Sequence, residues 1–192
     1  MRADYHVHTE FSDDSDYAME KVIQDSIAMG LDEICFTDHV DYGIKKDWDE
    51  PGKMIYRKGS PGEPDEMPLA NYHNYSVLGH MDLITRYDKT GTYSFKKLKP
   101  ILTKILKTVI ADGKGIEVNT SSYRYGLSDL TPSRDILKLY WELGGHILTI
   151  GSDSHKPEHL GTFINETKQE LKALGFKKFC TFDKMQPIFH QL

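Results

Sequence analysis

Nine histidines are present in 192 residues. Five of them, His6, His8, His39, His80 and His155, stand at or just past the C-terminal ends of segments that read as strands. Carboxylates accompany them: Asp4, Asp38, Asp82, Glu117 and Asp153. Histidines scattered at random would not select strand ends in this way. His6-Val7-His8 is an i, i+2 pair, so strand alternation puts both imidazoles on one face, roughly 6.6 Å apart. That span can bracket one ion with nitrogen–metal bonds of about 2.0–2.1 Å. Asp153-Ser154-His155 repeats the geometry with one carboxylate. Burying five uncompensated imidazoles as packing residues is costly, whereas shared metal ions account for all of them together. Imidazole mixed with carboxylate and no thiolate suits Zn²⁺, Mn²⁺ or Fe²⁺. So many ligands in one cluster imply more than one ion. Two ions about 3.5–4 Å apart clamp the attacking and leaving oxygens of a phosphate ester and acidify a bridging water, so hydrolysis is the natural chemistry.

The elements that must position these groups alternate. A strand is predicted at 2–9, then a helix with Asp16 as N-cap, an apolar stripe of Met19, Val22, Ile23 and Ile27, and Gly30 as its stop. Residues 33–37 read as a second buried strand. Residues 40–75 are rich in proline, glycine and charge and read as a long loop, uncommon inside a compact domain. A strand follows at 77–79. A helix runs from 94 with Phe95, Leu98, Ile101, Leu102, Ile105, Leu106, Val109 and Ile110 on one broad face; Pro100 should kink it or mark its first turn. Residues 114–119 read as a strand. Thr131-Pro132 reads as N-cap and first position of a helix that ends at Gly144. A strand at 146–150 follows, and Pro157 opens a helix that closes at Gly175. The chain ends in a strand at 179–181 and a helical turn at 184–190. Repeated strand–helix units predict an α/β fold with parallel strands, either a barrel or a doubly wound sheet. In a barrel, chemistry collects at the C-terminal strand ends.

Composition excludes several classes. The length suits one domain, and a formal charge of −5 argues against a broad nucleic-acid footprint. Cys35 and Cys180 form no CxxC pair and read as buried, reduced thiols. No apolar run reaches the roughly 18 residues that cross a membrane. The first residues carry no apolar leader segment, so a cytoplasmic location is expected. Walker, GxGxxG and GxSxG motifs do not occur.

Four segments resemble the motifs of the PHP (polymerase and histidinol phosphatase) metal-dependent phosphoesterases, in the expected order. They are Asp4-Tyr5-His6-Val7-His8-Thr9 with Phe11-Ser12-Asp13-Asp14, then Thr37-Asp38-His39, then Gly79-His80-Met81-Asp82, and Gly151-Ser152-Asp153-Ser154-His155. The stretches Asn119–Arg124 and Gly151–Pro157 look most like the histidinol-phosphatase branch, which converts L-histidinol phosphate to L-histidinol in histidine biosynthesis. The resemblance implies that His6, His8 and Asp153 hold one ion. It implies that Asp14, with Asp13 as its fallback, holds a second with His39 and His155, and that His80 belongs to a third. His6, His8, His39, Asp153 and His155 are accordingly the expected catalytic set, with metal-bound hydroxide attacking phosphorus. Arg124 is the expected phosphate ligand, because a guanidinium fork suits an oxyanion. Lys156 and Arg57 are further phosphate candidates. Glu117 either supports the site from behind or only ends its strand. His73, His146, His159 and His190 read as surface or packing residues.

One departure stands out. In the family, a strand bearing an ion-bridging glutamate and a strand bearing a histidine lie between the second motif and GHxD. Here only the 40–75 loop does, with Glu63, Glu66 and His73 as stand-ins. The join between Tyr72 and Ser76 reads as an internal deletion. The expected fold is therefore a single domain over 1–192, a distorted (β/α)7 barrel left incomplete at about six strands. The expected function is a phosphomonoester hydrolase with two or three divalent ions and a phosphorylated small-molecule substrate, without nucleic acid or membrane, and compatible with a homo-oligomer. Two alternatives stand beside it: a truncated, metal-binding scaffold with impaired catalysis, and a phosphoesterase for another small phosphate.

Overall fold

The computed structural model describes residues 1–12, 14–39, 73–88 and 94–192. In chain order the elements are β1 (Ala3–Val7), α1 (Met19–Met29), β2 (Glu33–Phe36), β3 (Val77–Leu78), α2 (Ile84–Tyr87), α3 (Phe95–Ala111), β4 (Gly115–Asn119), α4 (Ser121–Arg124), α5 (Arg134–Glu142), β5 (Leu148–Gly151), α6 (Ile164–Ala173), β6 (Lys178–Asp183) and β7 (Gln186–Gln191). The fold is α/β, as the alternation predicts.

β1 pairs in parallel with β2, and β3, β4 and β5 pair in parallel in that order. A parallel bridge between Val7 and Ser154 joins the two groups. Its hydrogen bonds run from the His8 N–H to the Ser154 carbonyl (2.8 Å) and from the Ser154 N–H to the His6 carbonyl (3.1 Å). The parallel strands therefore follow the order β3, β4, β5, β1, β2. Among the described residues no strand pairs with the outer edge of β2 or of β3. The core lies where Leu102, Leu106 and Val109 of α3 and Ile136, Leu137 and Tyr140 of α5 pack with Ile116, Val118, Leu148 and Ile150 of β4 and β5. These β-branched and leucine side chains leave β4 and β5 buried along their whole length.

Several boundaries differ from the sequence expectations, each for a local reason. The helical turn expected at 184–190 is instead strand β7, antiparallel to β6. Lys184 (φ 47°) and Met185 (φ 63°) close the hairpin; two consecutive left-handed residues match the twist of paired strands. α1 starts at Met19, whose N–H is capped by Glu10 Oε2 at 2.5 Å, so Asp16 is not its cap. Pro100 lies inside α3 rather than in its first turn. α5 begins after Ser133, because Thr131 is taken up in a bridge with Asn119. Pro157 opens only a short 3-10 turn, Pro157–His159. The left-handed Gly161 and Phe163 then interrupt the chain before α6. Residues 40–72 of the expected loop, with Arg57, Glu63, Glu66 and Tyr72, lie outside the described residues, as does Asp13. His73 is described and pairs with Asp112 (2.8 Å), not with the other histidines. Among the described residues no helix is long and apolar enough to cross a membrane. Both cysteines are free thiols, Cys180 buried and Cys35 half-buried.

Candidate metal centre

β1 sends Val7 into the core and so turns His6 and His8 to the opposite face, both buried. Their Nε2 atoms lie 2.9 Å apart, each 3.5 Å from Asp153 Oδ1. The proton positions follow from the partners. His6 Nδ1 is 2.7 Å from the carboxylate of the fully buried Glu117, an acceptor, so Nδ1–H donates. The Ser12 hydroxyl donates to Asp38 (2.9 Å). It accepts from the His39 N–H (3.0 Å) and from His8 Nδ1 (3.1 Å). Both Nε2 atoms thus carry lone pairs, aimed at each other and at a carboxylate. Three acceptors converging in a buried site fit a cation, and histidine ligands backed by carboxylate or hydroxyl are the usual arrangement around a metal.

Titration behaviour follows from the same geometry. Burial, the largest single influence on His6, pulls its pKa down. The charge and hydrogen bond of Glu117, helped by Asp153 and Asp4, outweigh it and push His6 up to about 9. Without a cation, a proton on His6 relieves the convergence. Burial lowers His8. Burial alone would raise Asp153, but the surrounding imidazoles of His8, His6 and His155 hold it well below the usual carboxylate range.

Asp153 is presented by a turn after β5. The fully buried Asp4 accepts from the Ser152 N–H (2.8 Å), the Ser152 hydroxyl (2.5 Å) and the Gly161 N–H (2.8 Å), tying that turn to β1. Burial raises the Asp4 pKa. A second cluster adjoins the first. Asp14 Oδ2 is 3.0 Å from His155 Nε2 and 3.6 Å from His39 Nε2. The His8 ring is stacked with those of His39 and His155, at 4.7 and 4.2 Å between centroids. The donor atoms of His8, Asp14, His39 and His155 all lie within 4.8 Å of one another.

The structure therefore brings together six of the seven expected ligands. His80 is the exception: its ring sits 5.4 Å from that of His6, outside both clusters. Its backbone N–H donates to Glu117 (2.8 Å), so Glu117 supports two strand ends rather than merely ending β4. Arg124 donates from both terminal nitrogens to the backbone carbonyls of Ser152 and Asp153. Lys156 is exposed and pairs with Glu158 (3.2 Å). The sequence reading misses Arg86, whose Nη1 is 3.3 Å from Asp153 Oδ2. Its guanidinium lies 3.6 Å over the Tyr125 ring and donates to that hydroxyl. A cation on the helical turn directly after Gly79-His80-Met81-Asp82 was the available signal.

Residues 4–58 match the PHP domain family. The chain is 26% identical to the probable histidinol-phosphatase of Thermotoga maritima over 221 residues, covering 91% of this chain and 93% of that one. It is 24% identical to the histidinol-phosphatase of Lactococcus lactis over 261 residues, covering 96% of each. That alignment is longer than the 192-residue chain, so the relative carries residues with no counterpart here. The crystal structure of the L. lactis histidinol phosphate phosphatase, complexed with zinc, L-histidinol and phosphate, superposes with a TM-score of 0.75 at 22% identity, covering 97% of this chain and 98% of that one. The family match spans His6, His8 and His39, and the likeness to the L. lactis structure extends the shared fold over nearly the whole chain. The two relatives aligned over nearly the whole chain are histidinol-phosphatases.

Proposed function

We propose that the chain hydrolyses a phosphomonoester, L-histidinol phosphate, using divalent ions held at the two adjoining clusters. The observation that carries this reading is the convergence of His6 Nε2, His8 Nε2 and Asp153 Oδ1, with both Nδ1 atoms already engaged. His6, His8 and Asp153 would hold one ion, and Asp14, His39 and His155 a second; His80 stands ready for a third only if it turns inward. Zinc is favoured, being the metal of the L. lactis complex. Bound ions would supply an acidified water and charge neutralisation at phosphate. The chain's own residues do the rest. Glu117 and Ser12 fix the two imidazoles, Asp4 holds the turn that bears Asp153, and Arg86 brings a guanidinium to the edge of the clusters, where a phosphate oxygen can pair with it. The parallel order β3, β4, β5, β1, β2 supports a distorted barrel in which, among the described residues, no strand joins β2 to β3, the interval where the expected deletion falls.

The residues of the L. lactis relative that have no counterpart here favour a second reading, a scaffold that binds metal without turnover. Metal analysis of the purified chain together with phosphate release from L-histidinol phosphate separates the two. Two or more ions with turnover support hydrolysis. One ion or none, with no release from any phosphomonoester, overturns it.

A further inference from the structure

We propose that Arg124 is a positioning residue for Asp153 rather than a ligand of the substrate phosphate. It holds the Ser152–Asp153 turn in the conformation that aims Asp153 at His6 and His8. The inference rests on the metal-centre reading above.

Arg124 ends α4, the short helix that follows β4. Its Nη1 donates to the Ser152 carbonyl (2.5 Å) and its Nη2 to the Asp153 carbonyl (2.9 Å). The fork thus grips two successive backbone oxygens as it would grip two oxygens of an anion. That turn needs holding. Asp153 has φ 56°, in the left-handed region, which few residues other than glycine, asparagine and aspartate adopt. Such a conformation persists only where the surroundings over-determine it. Here Asp4 grips Ser152 from the β1 side, and His155 Nδ1 reaches the Asp153 carbonyl (3.0 Å). Arg124 supplies the third restraint. Two of the guanidinium N–H groups are thus committed to this turn, and loss of Arg124 would leave the carbonyl of the fully buried Ser152 without its donor, which is expensive. Arg86, paired with the Asp153 side chain and not with its backbone, has no such obligation.

The test uses the full chain, with zinc titrated against a chromophoric chelator and inorganic phosphate binding measured at saturating zinc. Arg124→Met should weaken one of the two zinc sites by about ten- to hundredfold, the range for loss of an outer partner of a ligand. The second zinc site and phosphate binding should be unchanged. Arg124→Lys, which keeps one donor, should recover part of the lost affinity, and it carries the test if the methionine variant does not fold. Wild-type zinc affinity with weakened phosphate binding would overturn the proposal and return Arg124 to the substrate. Equal weakening of both zinc sites would overturn it as well, because that is a general loss of structure. Failure of the wild-type chain to bind zinc at all would instead remove the metal-centre reading, and would be seen before any variant was made.

Discussion

Glu117→Gln isolates the role of one buried oxygen pair. The wild-type carboxylate accepts three hydrogen bonds, from His6 Nδ1 (2.7 Å), the His80 backbone N–H (2.8 Å) and Asn119 Nδ2 (3.3 Å). Glutamine has the same shape but exchanges one acceptor oxygen for an NH₂. At 2% exposure, Glu117 has no water to turn that group toward. If the NH₂ faces His80, two donors meet, at a cost of about 1–3 kcal/mol for a buried unsatisfied group. If it faces His6, the imidazole must accept at Nδ1 and carry its proton on Nε2, where the cation is expected. Either way His6 also loses the charge that does most to raise its pKa. The expected result is a loss of about ten- to hundredfold in zinc affinity, equivalent to about 1.4–2.7 kcal/mol. Urea unfolding of the metal-free protein should show a drop of about 1–3 kcal/mol. A chelator-competition titration at pH 7 reads the first quantity. Unchanged zinc affinity in a folded variant would refute the assignment of the His6 tautomer, and with it the fit of the site to a metal.

Four further outcomes follow from the geometry. His6, at about 9, must shed a proton to bind metal, so apparent zinc affinity should climb by up to about tenfold per pH unit from neutrality until pH approaches 9, then level off; a flat titration would contradict this. For the metal-free protein the sign is opposite: the raised His6 pKa contributes stability that is full below pH 6.5 and fades as pH rises through about 9, measurable as a falling urea midpoint. Gly151→Ala should damage both fold and metal binding, because an added Cβ would lie 2.3 Å from His6 Cβ and 2.6 Å from Glu117 Oε1; a loss of about 1–3 kcal/mol is expected for such overpacking, checked by thermal melting and zinc titration. Tyr140→Phe should cost about 1 kcal/mol, since its buried hydroxyl donates to the Ile147 carbonyl (2.8 Å), and should leave zinc affinity unchanged.

The His6–His8 pair and the strand-end placement of the histidines were legible in the sequence because they rest on local rules, whereas the grouping of Asp14 with His39 and His155 came from the family resemblance. Strand alternation puts His6 and His8 on one face, and histidines at strand ends gather wherever parallel strands are adjacent. What escaped depends on distance through space. Arg86 meets Asp153 across 67 positions, and nothing in its own neighbourhood declares that partner. Arg124 looks like a phosphate ligand by residue type, and its bonds to the Ser152 and Asp153 carbonyls are contacts that only the tertiary fold supplies. Strand β7 escaped because Lys184-Met185 lacks the glycine or asparagine that advertises a left-handed hairpin turn. His80 matches its motif, yet its ring is kept outside both clusters, while its backbone serves Glu117.

Crystals of the zinc-loaded protein, measured at the zinc absorption edge, test the metal centre most directly. Two anomalous peaks are predicted, one among His6, His8 and Asp153 and one among Asp14, His39 and His155. No peak between His6 Nε2, His8 Nε2 and Asp153 Oδ1 at saturating zinc would contradict the account.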